Sequence, residues 1–437
     1  MHFIGIDIGT SSVSSVVYDY KRKKTESFTT KNDSVLPAAA PWEKLQSPQR
    51  IIEIVTEIME GFFARYSDIR GIGVTGQMHG MLYLDNRGEA ISPLYTWQDG
   101  RGNQLYQNNQ TYACFLSEET GYALASGFGA VTHHYNRENG LIPAGANQIC
   151  TIMDYVVMKL TGRPTPLTDH STAASLGFFD LERLTFDRIA LKKVGIDPAF
   201  LPETVDSVSV AGYYKERIPV YPAIGDNQAA FLGSVKDKHT SLHITVGTGS
   251  QISVYSEKYL KIPTFDTRPF PGGGYLLVGA ALCGGQAYAI LKNFFEKTLK
   301  KFTSDLPSES DIYRIMGEVS YKENTNDLPL VETLFNGTRF SPDKRGSITS
   351  ISSENFTPDN LILAFLKGIS KELYNFYEYL PEEIKKEKDI IIGSGNALKK
   401  NPLLCKAFEE QFHINLSFSG CREEAAFGAC LNAIKEI

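Results

Sequence analysis

A chain of 437 residues, 42% of them hydrophobic, is long enough for two or three domains with sizeable cores. Charged residues make up 22% and the formal net charge is −6, which excludes a general electrostatic attraction to nucleic acid or to an anionic membrane. Six scattered cysteines without CxxC spacing exclude a zinc ribbon or a disulfide scaffold, and no run of about 18 apolar residues offers a membrane span; the chain is read as soluble and cytoplasmic.

The first element is the stretch from Phe3 to Ser12, FIGIDIGTSS. Ile4, Ile6 and Ile8 alternate with Gly5, Asp7 and Gly9, which predicts a strand entering a glycine turn, and SSVVYDY returns as a second strand. Asp7, the one charge on it, stands beside the donors of Gly9, Thr10, Ser11 and Ser12, a tip suited to phosphate and a hydrated metal. The basic run Lys21 to Lys24 ends the hairpin in solvent.

A proline-rich loop over 37–48 leads to a helix, with Ile51, Ile52, Ile54, Val55, Ile58, Met59, Phe62 and Phe63 at spacings of three and four. From Ile69 the pattern turns to strand, GIGVTGQMHGMLYLD, closed by a turn at Asp85 to Gly88 and followed by SPLYTWQDGR. Residues 105–200 are mixed and mostly helical, and Gly162 with Pro164 stops TIMDYVVMKLTG. In VYPAIGDNQAAFLG an apolar strand runs into Gly225, Asp226 and Asn227 and then a helix. SLHITVGTGSQISVYSE (241–257) repeats the opening pattern, so a duplicated architecture is expected, with a boundary near residue 233. A helix over 358–379 has Thr357 as N-cap, and DIIIGSGNALKKNP reads as a buried strand opening into a glycine turn. The closing helix carries Ala425, Ala426, Gly428 and Ala429, small enough for close approach to a sheet or a ligand.

None of these loops matches the Walker A or dinucleotide fingerprint, which disfavours a dinucleotide dehydrogenase. The ordered set IDIGTSS, TGQMHG, TWQDGR, IGDNQAA, VGTGSQ and GSGNALKKNP resembles the FGGY family of carbohydrate kinases over nearly the whole chain. That family belongs to the superfamily of actin, hexokinase and the heat-shock chaperone ATPases. The pieces GVTGQMHG, TWQDGR, ASGFGA, MDYVV and TDHSTAASLGFFD are most similar to sedoheptulokinases, with xylulokinases next.

The resemblance implies an α/β fold of two actin-like (ribonuclease H-like) domains with a cleft between them, 1–233 for sugar and catalytic Asp and 234–437 for nucleotide. It implies ATP and Mg²⁺ as cofactors, and as acceptor a ketose, sedoheptulose first and xylulose or another ketopentose as the alternative. A monomer or homodimer without nucleic-acid or membrane partners is expected. On this reading Asp226 is the catalytic base, and Gln77, Met78, His79, Trp97, Asp99, Arg101 and Asn227 form the sugar site. Trp97 with Gln98, Asp99 and Arg101 offers an aromatic face and convergent hydrogen bonds within five positions. Gly9, Thr10, Ser11 and Ser12, with Gly247, Thr248, Gly249 and Ser250, are expected at the phosphates. Gly284, Gly285, Gly395 and Asn396 are expected at the rest of the nucleotide, Lys399 and Lys400 in solvent, and Asp7 with Asp226 at the metal.

Phosphoryl transfer asks mainly for positioning and charge neutralisation, so Asp226 need not be strongly basic; at a helix N-terminus it is expected to stay ionised. Two rival classes are a sugar or nucleotide sensor without turnover, opposed by the presence of both phosphate loops, and an actin-like polymer former, opposed by the sugar motifs. Where family members have an apolar helix with Lys and Trp, this chain has VTHHYNRENGLIP, and it is somewhat shorter in the second domain.

Overall fold

Alternation places Ile4, Ile6 and Ile8 on one face of the strand His2–Ile8 and Gly5 and Asp7 on the other. The computed structural model, which describes residues 1–321, 327–338, 341 and 343–434, pairs this strand antiparallel with Ser12–Asp19 and parallel with Ile69–Gly76. The expected hairpin is therefore present. The sheet runs Gly212–Tyr214, Ile218–Val220, Ile69–Gly76, His2–Ile8, Ser12–Asp19, Lys24–Lys31, and Ile224–Gly225 extends it by pairing with Thr75 and Gly76.

The helix Pro48–Arg65 starts where Ser47 accepts a hydrogen bond from the Arg50 N–H, and Pro48 occupies its first turn. Its stripe Ile51, Ile54, Val55, Met59 and Phe62 shares one core with Ile4, Ile6, Ile8, Ile72 and Val74. The opposite face of the sheet is covered by the closing helix Glu424–Asn432. Gly5 and Gly73, register partners in adjacent strands, make room for it: a Cβ on Gly5 would sit 1.8 Å from the Ala426 carbonyl oxygen, and one on Gly73 1.9 Å from that of Ala429. The same helix abuts Asp226–Ser234, since a Cβ on Gly428 would lie 1.8 Å from the Ala229 carbonyl oxygen. The small residues of the closing helix thus serve close packing.

Two compact units result. One gathers Met1–Ser234 with Arg268–Tyr275 and the segment that begins at Cys421; the other holds Val235–Thr267 and Leu276–Gly420. The sheet of the second runs Asp266–Pro269, Tyr275–Ala281, Ser250–Ser256, Ser241–Val246, Ile390–Ser394, Asn415–Phe418. Ser241–Val246 pairs antiparallel with Ser250–Ser256 and parallel with Ile390–Ser394, the arrangement of the first hairpin and Ile69–Gly76, so the repeat read in the sequence is a repeat of topology. Its core includes the helix Pro358–Glu378, capped by Thr357, with Leu361, Phe365, Leu366, Ile369 and Leu373 buried.

Between the strands of the first unit lie helices Tyr112–Thr120, Gly129–Glu138, Ile152–Thr161 and His170–Leu176. Gly162 ends the third of these at φ +70°. The polar segment after GFG is itself helical, with His133, His134 and Asn136 buried. Among the described residues no helix is long and apolar enough to cross a membrane.

Candidate active site

The strand Ile224–Gly225 ends on Asp226, which opens the helix Asp226–Ser234. Its carboxylate accepts a hydrogen bond from Asn227 Nδ2 at 2.8 Å. The helix terminus lies where the sequence predicts it, but its electrostatic effect does not prevail. Burial raises the Asp226 pKa above its ordinary value, and the Arg268 charge and the Asn227 hydrogen bonds oppose this only in part.

Asp7, on the sheet face opposite the isoleucines, is pushed from 3.8 up to about 7, first by burial and then by the charges of Asp226 and Glu423. Negative charge gathered on a buried carboxylate in this way makes a site that a hard cation relieves. Among the described residues no group of three or more His, Cys, Asp or Glu is arranged to hold a metal ion. A pair of carboxylates therefore fits Mg²⁺, which keeps several waters and takes phosphate oxygens, rather than a metal needing a closed protein cage. Glu423, far off in sequence, carried no signal that its charge acts on Asp7.

Met78 packs against the same junction. Its sulfur lies 4.0 Å from Asn227 Nδ2, and a Cβ on Gly225 would fall 2.8 Å from its methyl carbon. His79 has a left-handed backbone, φ +74°, held by its N–H donating to Ser175 Oγ at 3.1 Å. Its Nδ1 is 3.0 Å from the Ser175 carbonyl oxygen; since a carbonyl only accepts, Nδ1 carries the proton. The ring stacks on Phe128 with centroids 4.5 Å apart.

The turn of the first hairpin joins these groups. Thr10 Oγ1 accepts from the Trp97 indole N–H at 3.1 Å and donates to Gln77 Oε1 at 3.3 Å. Gln77 Nε2 donates to Gln46 Oε1, and Gln46 Nε2 to the Thr10 carbonyl. Gln46, in the proline-rich loop, was not anticipated. Asn32 Nδ2 holds the Gly9 carbonyl at 2.8 Å, Ser11 is exposed at the tip, and Ser12 begins the return strand. Trp97 remains 47% exposed, open to a ligand.

Asp99 and Arg101 are placed differently, buried at 0% and 2% exposure. Arg101 Nε donates to Asp99 Oδ1 at 2.6 Å and Nη2 to Oδ2 at 3.3 Å. Asp99 also accepts from the Lys44 N–H, while the guanidinium lies 4.1 Å over the Tyr95 ring and donates to Asn136 Oδ1. Their hydrogen bonds are made to protein, and what they shape is the loop that presents Trp97.

The second unit holds a cavity of about 1030 Å³, and Gly247, Thr248, Gly285, Gly395 and Asn396, from three separate stretches of sequence, line it together. Gln286, Tyr288, Tyr313 and Asn401 line it too, and sequence reading missed them; Lys399 and Lys400 are exposed, Lys400 at the cavity wall. Gly249, Ser250 and Gly284 lie outside the lining. A Cβ on Gly284 would meet the Gly249 carbonyl oxygen at 2.4 Å, so this glycine serves loop-to-helix packing. The N–H groups of Gly284 and Gln286 donate to the Thr248 carbonyl, and that of Gly285 to the Gly247 carbonyl. The first amides of the helix Gly285–Phe302 thus fasten the loop. Gly395 adopts φ +88° beside the Val246 carbonyl oxygen, 2.4 Å from where its Cβ would be.

Residues 2–233, more than half of the chain, match the FGGY family of carbohydrate kinases, N-terminal domain. The sedoheptulokinase of Mus musculus is 28% identical over 472 residues, covering 98% of this chain and 96% of that protein. The crystal structure of a xylulose kinase from Rhodospirillum rubrum is similar in fold, with TM-score 0.81, 19% identity, and coverage of 99% of this chain and 89% of that one. Plasmodium falciparum glycerol kinase with ADP has TM-score 0.78 and 21% identity over 99% and 88% of the two chains.

Proposed function

Because this chain belongs to the FGGY family of carbohydrate kinases, with the actin-like two-domain α/β fold, we propose that it is a Mg·ATP-dependent kinase of a ketose. The preferred acceptor is sedoheptulose, with xylulose or another ketopentose as the alternative, and the reaction takes place in the cytoplasm. Residues 1–233 bear the sugar and the catalytic Asp, and 234–437 the nucleotide, with the segment from Cys421 completing the first unit.

The observation that carries this reading is the junction at Asp226, with Asn227 and Met78 against it and its charge acting on the buried Asp7. Asp226 accepts the proton of the attacking hydroxyl, and a pKa lifted by burial makes it a better acceptor than an ordinary carboxylate. His79 and Trp97 orient the sugar, the ring of one fixed on Phe128 and the indole of the other tied to Thr10. Asp7 and Asp226 would hold Mg²⁺, which when bound neutralises phosphate charge. Thr248, Gly285, Gly395 and Asn396 line the space for the nucleotide.

The test is ADP release measured over sedoheptulose, xylulose and ribulose, with wild-type enzyme and Asp226→Ala. Turnover with sedoheptulose at the highest kcat/KM, falling on the order of 100-fold or more in the variant, is the expected result. Sugar-dependent release that survives in Asp226→Ala would refute the base, and a better rate with xylulose would replace the substrate. The support for sedoheptulose is the likeness to a sedoheptulokinase over 98% of the chain, together with the motifs quoted above.

A further inference from the structure

The helix His170–Leu176, whose Ser175 holds His79, lies beneath both halves of the acceptor site. Asp169 caps it, accepting from the Ser171 N–H and hydroxyl and from the Ser207 N–H. The Ser171 hydroxyl in turn accepts the Gly225 N–H at 3.0 Å, one residue before Asp226. Thr172 Oγ1 donates to the Ala223 carbonyl at 3.0 Å. From one turn further along, Ser175 Oγ takes the His79 N–H and its carbonyl faces His79 Nδ1, while that same hydroxyl donates to the Thr172 carbonyl.

These three side chains are buried, at 0%, 0% and 3% exposure, so they meet the site only through protein. Three hydrogen bonds in a buried setting define a position closely, because each lost partner leaves a polar backbone group without water. They also connect two places far apart in sequence that the reaction needs in one geometry. A displacement of about 1 Å at a reacting group lowers rates on the order of 100-fold.

We propose that Ser171, Thr172 and Ser175 are positioning residues, Ser171 and Thr172 fixing the backbone that carries Asp226 and Ser175 fixing the strained backbone of His79. The proposal rests on the reading of Asp226 as base and His79 as sugar ligand. Removing Ser171 or Thr172 then lowers kcat, whereas removing Ser175 weakens acceptor binding.

The experiment uses the full chain and whichever acceptor the wild-type enzyme phosphorylates. Ser171→Ala and the nearly isosteric Thr172→Val are expected to lower kcat at least tenfold with the KM for ATP within twofold of wild type. Ser175→Ala is expected to raise the acceptor KM at least tenfold. In an Asp226→Asn background, Ser171→Ala should cost no further activity; a full additional loss overturns the proposal. Hydrogen exchange on the unliganded protein provides the second readout. The Gly225 amide in Ser171→Ala and the His79 amide in Ser175→Ala should exchange at least tenfold faster, with the helix Pro358–Glu378 unchanged. Unaltered exchange at both amides, or acceleration throughout the chain, overturns the proposal. Should Ser171→Ala not fold, Thr172→Val decides the same junction by its kcat. If no acceptor is found, the reading of the site fails, while the exchange result still decides the mount.

Discussion

Replacing Gly428 by alanine sets two effects against each other, and their sizes decide the outcome. Alanine improves intrinsic helix propensity by about 1 kcal/mol in a helix interior. Its Cβ, however, would lie 1.8 Å from the Ala229 carbonyl oxygen and 2.6 Å from the carbonyl carbon. Real Cβ contacts are not found below 3.0 Å, and these neighbours are backbone, which has no rotamer to give way. The helices Glu424–Asn432 and Asp226–Ser234 must therefore separate by about 1 Å or more, and overpacking of this kind costs about 1–3 kcal/mol, occasionally more. The sheet already meets the closing helix at Gly5 and Gly73 with no room for a Cβ, so the helix cannot retreat that way. The upper end of that range applies, and the net loss expected is about 2 kcal/mol. Urea denaturation should give a lower midpoint for Gly428→Ala at unchanged slope. Because the displaced helix begins at Asp226, kcat should also fall. A variant as stable as wild type, with kcat within twofold, would refute the packing argument.

Burial raises Asp154 from 3.8 to about 7, against the opposing hydrogen bonds of Thr151. The folded state then holds a proton that the unfolded state releases between about pH 4 and 7, so stability falls as pH rises through that window, by up to about 4 kcal/mol. Asp154→Asn should flatten the dependence, measured as urea midpoints at pH 5 and 8; an equal slope in both proteins would exclude Asp154 as its origin. Burial, with the Arg137 charge, lowers His133 from 6.5 to about 4. Its stabilising contribution is whole above pH 6.5 and lost toward pH 4, and His133→Phe should remove that acid-side loss in the same titration. Arg101→Met leaves the Asp99 carboxylate buried without its partner, at a cost of about 3–5 kcal/mol; a midpoint shift equivalent to under 1 kcal/mol would contradict the pairing. Gly395→Ala, strained at φ +88°, should raise the KM for ATP at least tenfold and leave that for sugar within twofold, and equal changes in both would argue against a nucleotide role.

The strand, turn and strand units at Ile4–Val17 and Leu242–Val254 were legible because an alternation of period two survives in sequence. The junction at Asp226 was legible for the same reason, a strand giving way to small residues. Its electrostatics were not, since the helix terminus is local while burial depends on everything packed around the carboxylate, and the opposing Arg268 charge comes from a distant segment. Asp99 and Arg101 could be seen as a cluster but not as a closed pair: their partners Lys44, Tyr95 and Asn136 come from three separate segments. Likewise Ser171 and Ser175 stood within the motif TDHSTAASLGFFD, yet nothing in their spacing names Gly225 or His79. The small residues of the closing helix advertised close packing, and only the fold identifies Gly5 and Gly73 as what they meet.

That packing bears on how the protein is made. The groove between Gly5, Gly73 and Gly233 is filled by a helix translated after the second unit. During synthesis the first sheet emerges early and waits with one face uncovered, and the helix that bears Asp226 lacks its neighbour until Glu424–Asn432 has followed the second unit out. A ribosome stalled before Cys421 would therefore display every strand of the second sheet but a first sheet without the helix that covers it, so the unit that starts first is completed last.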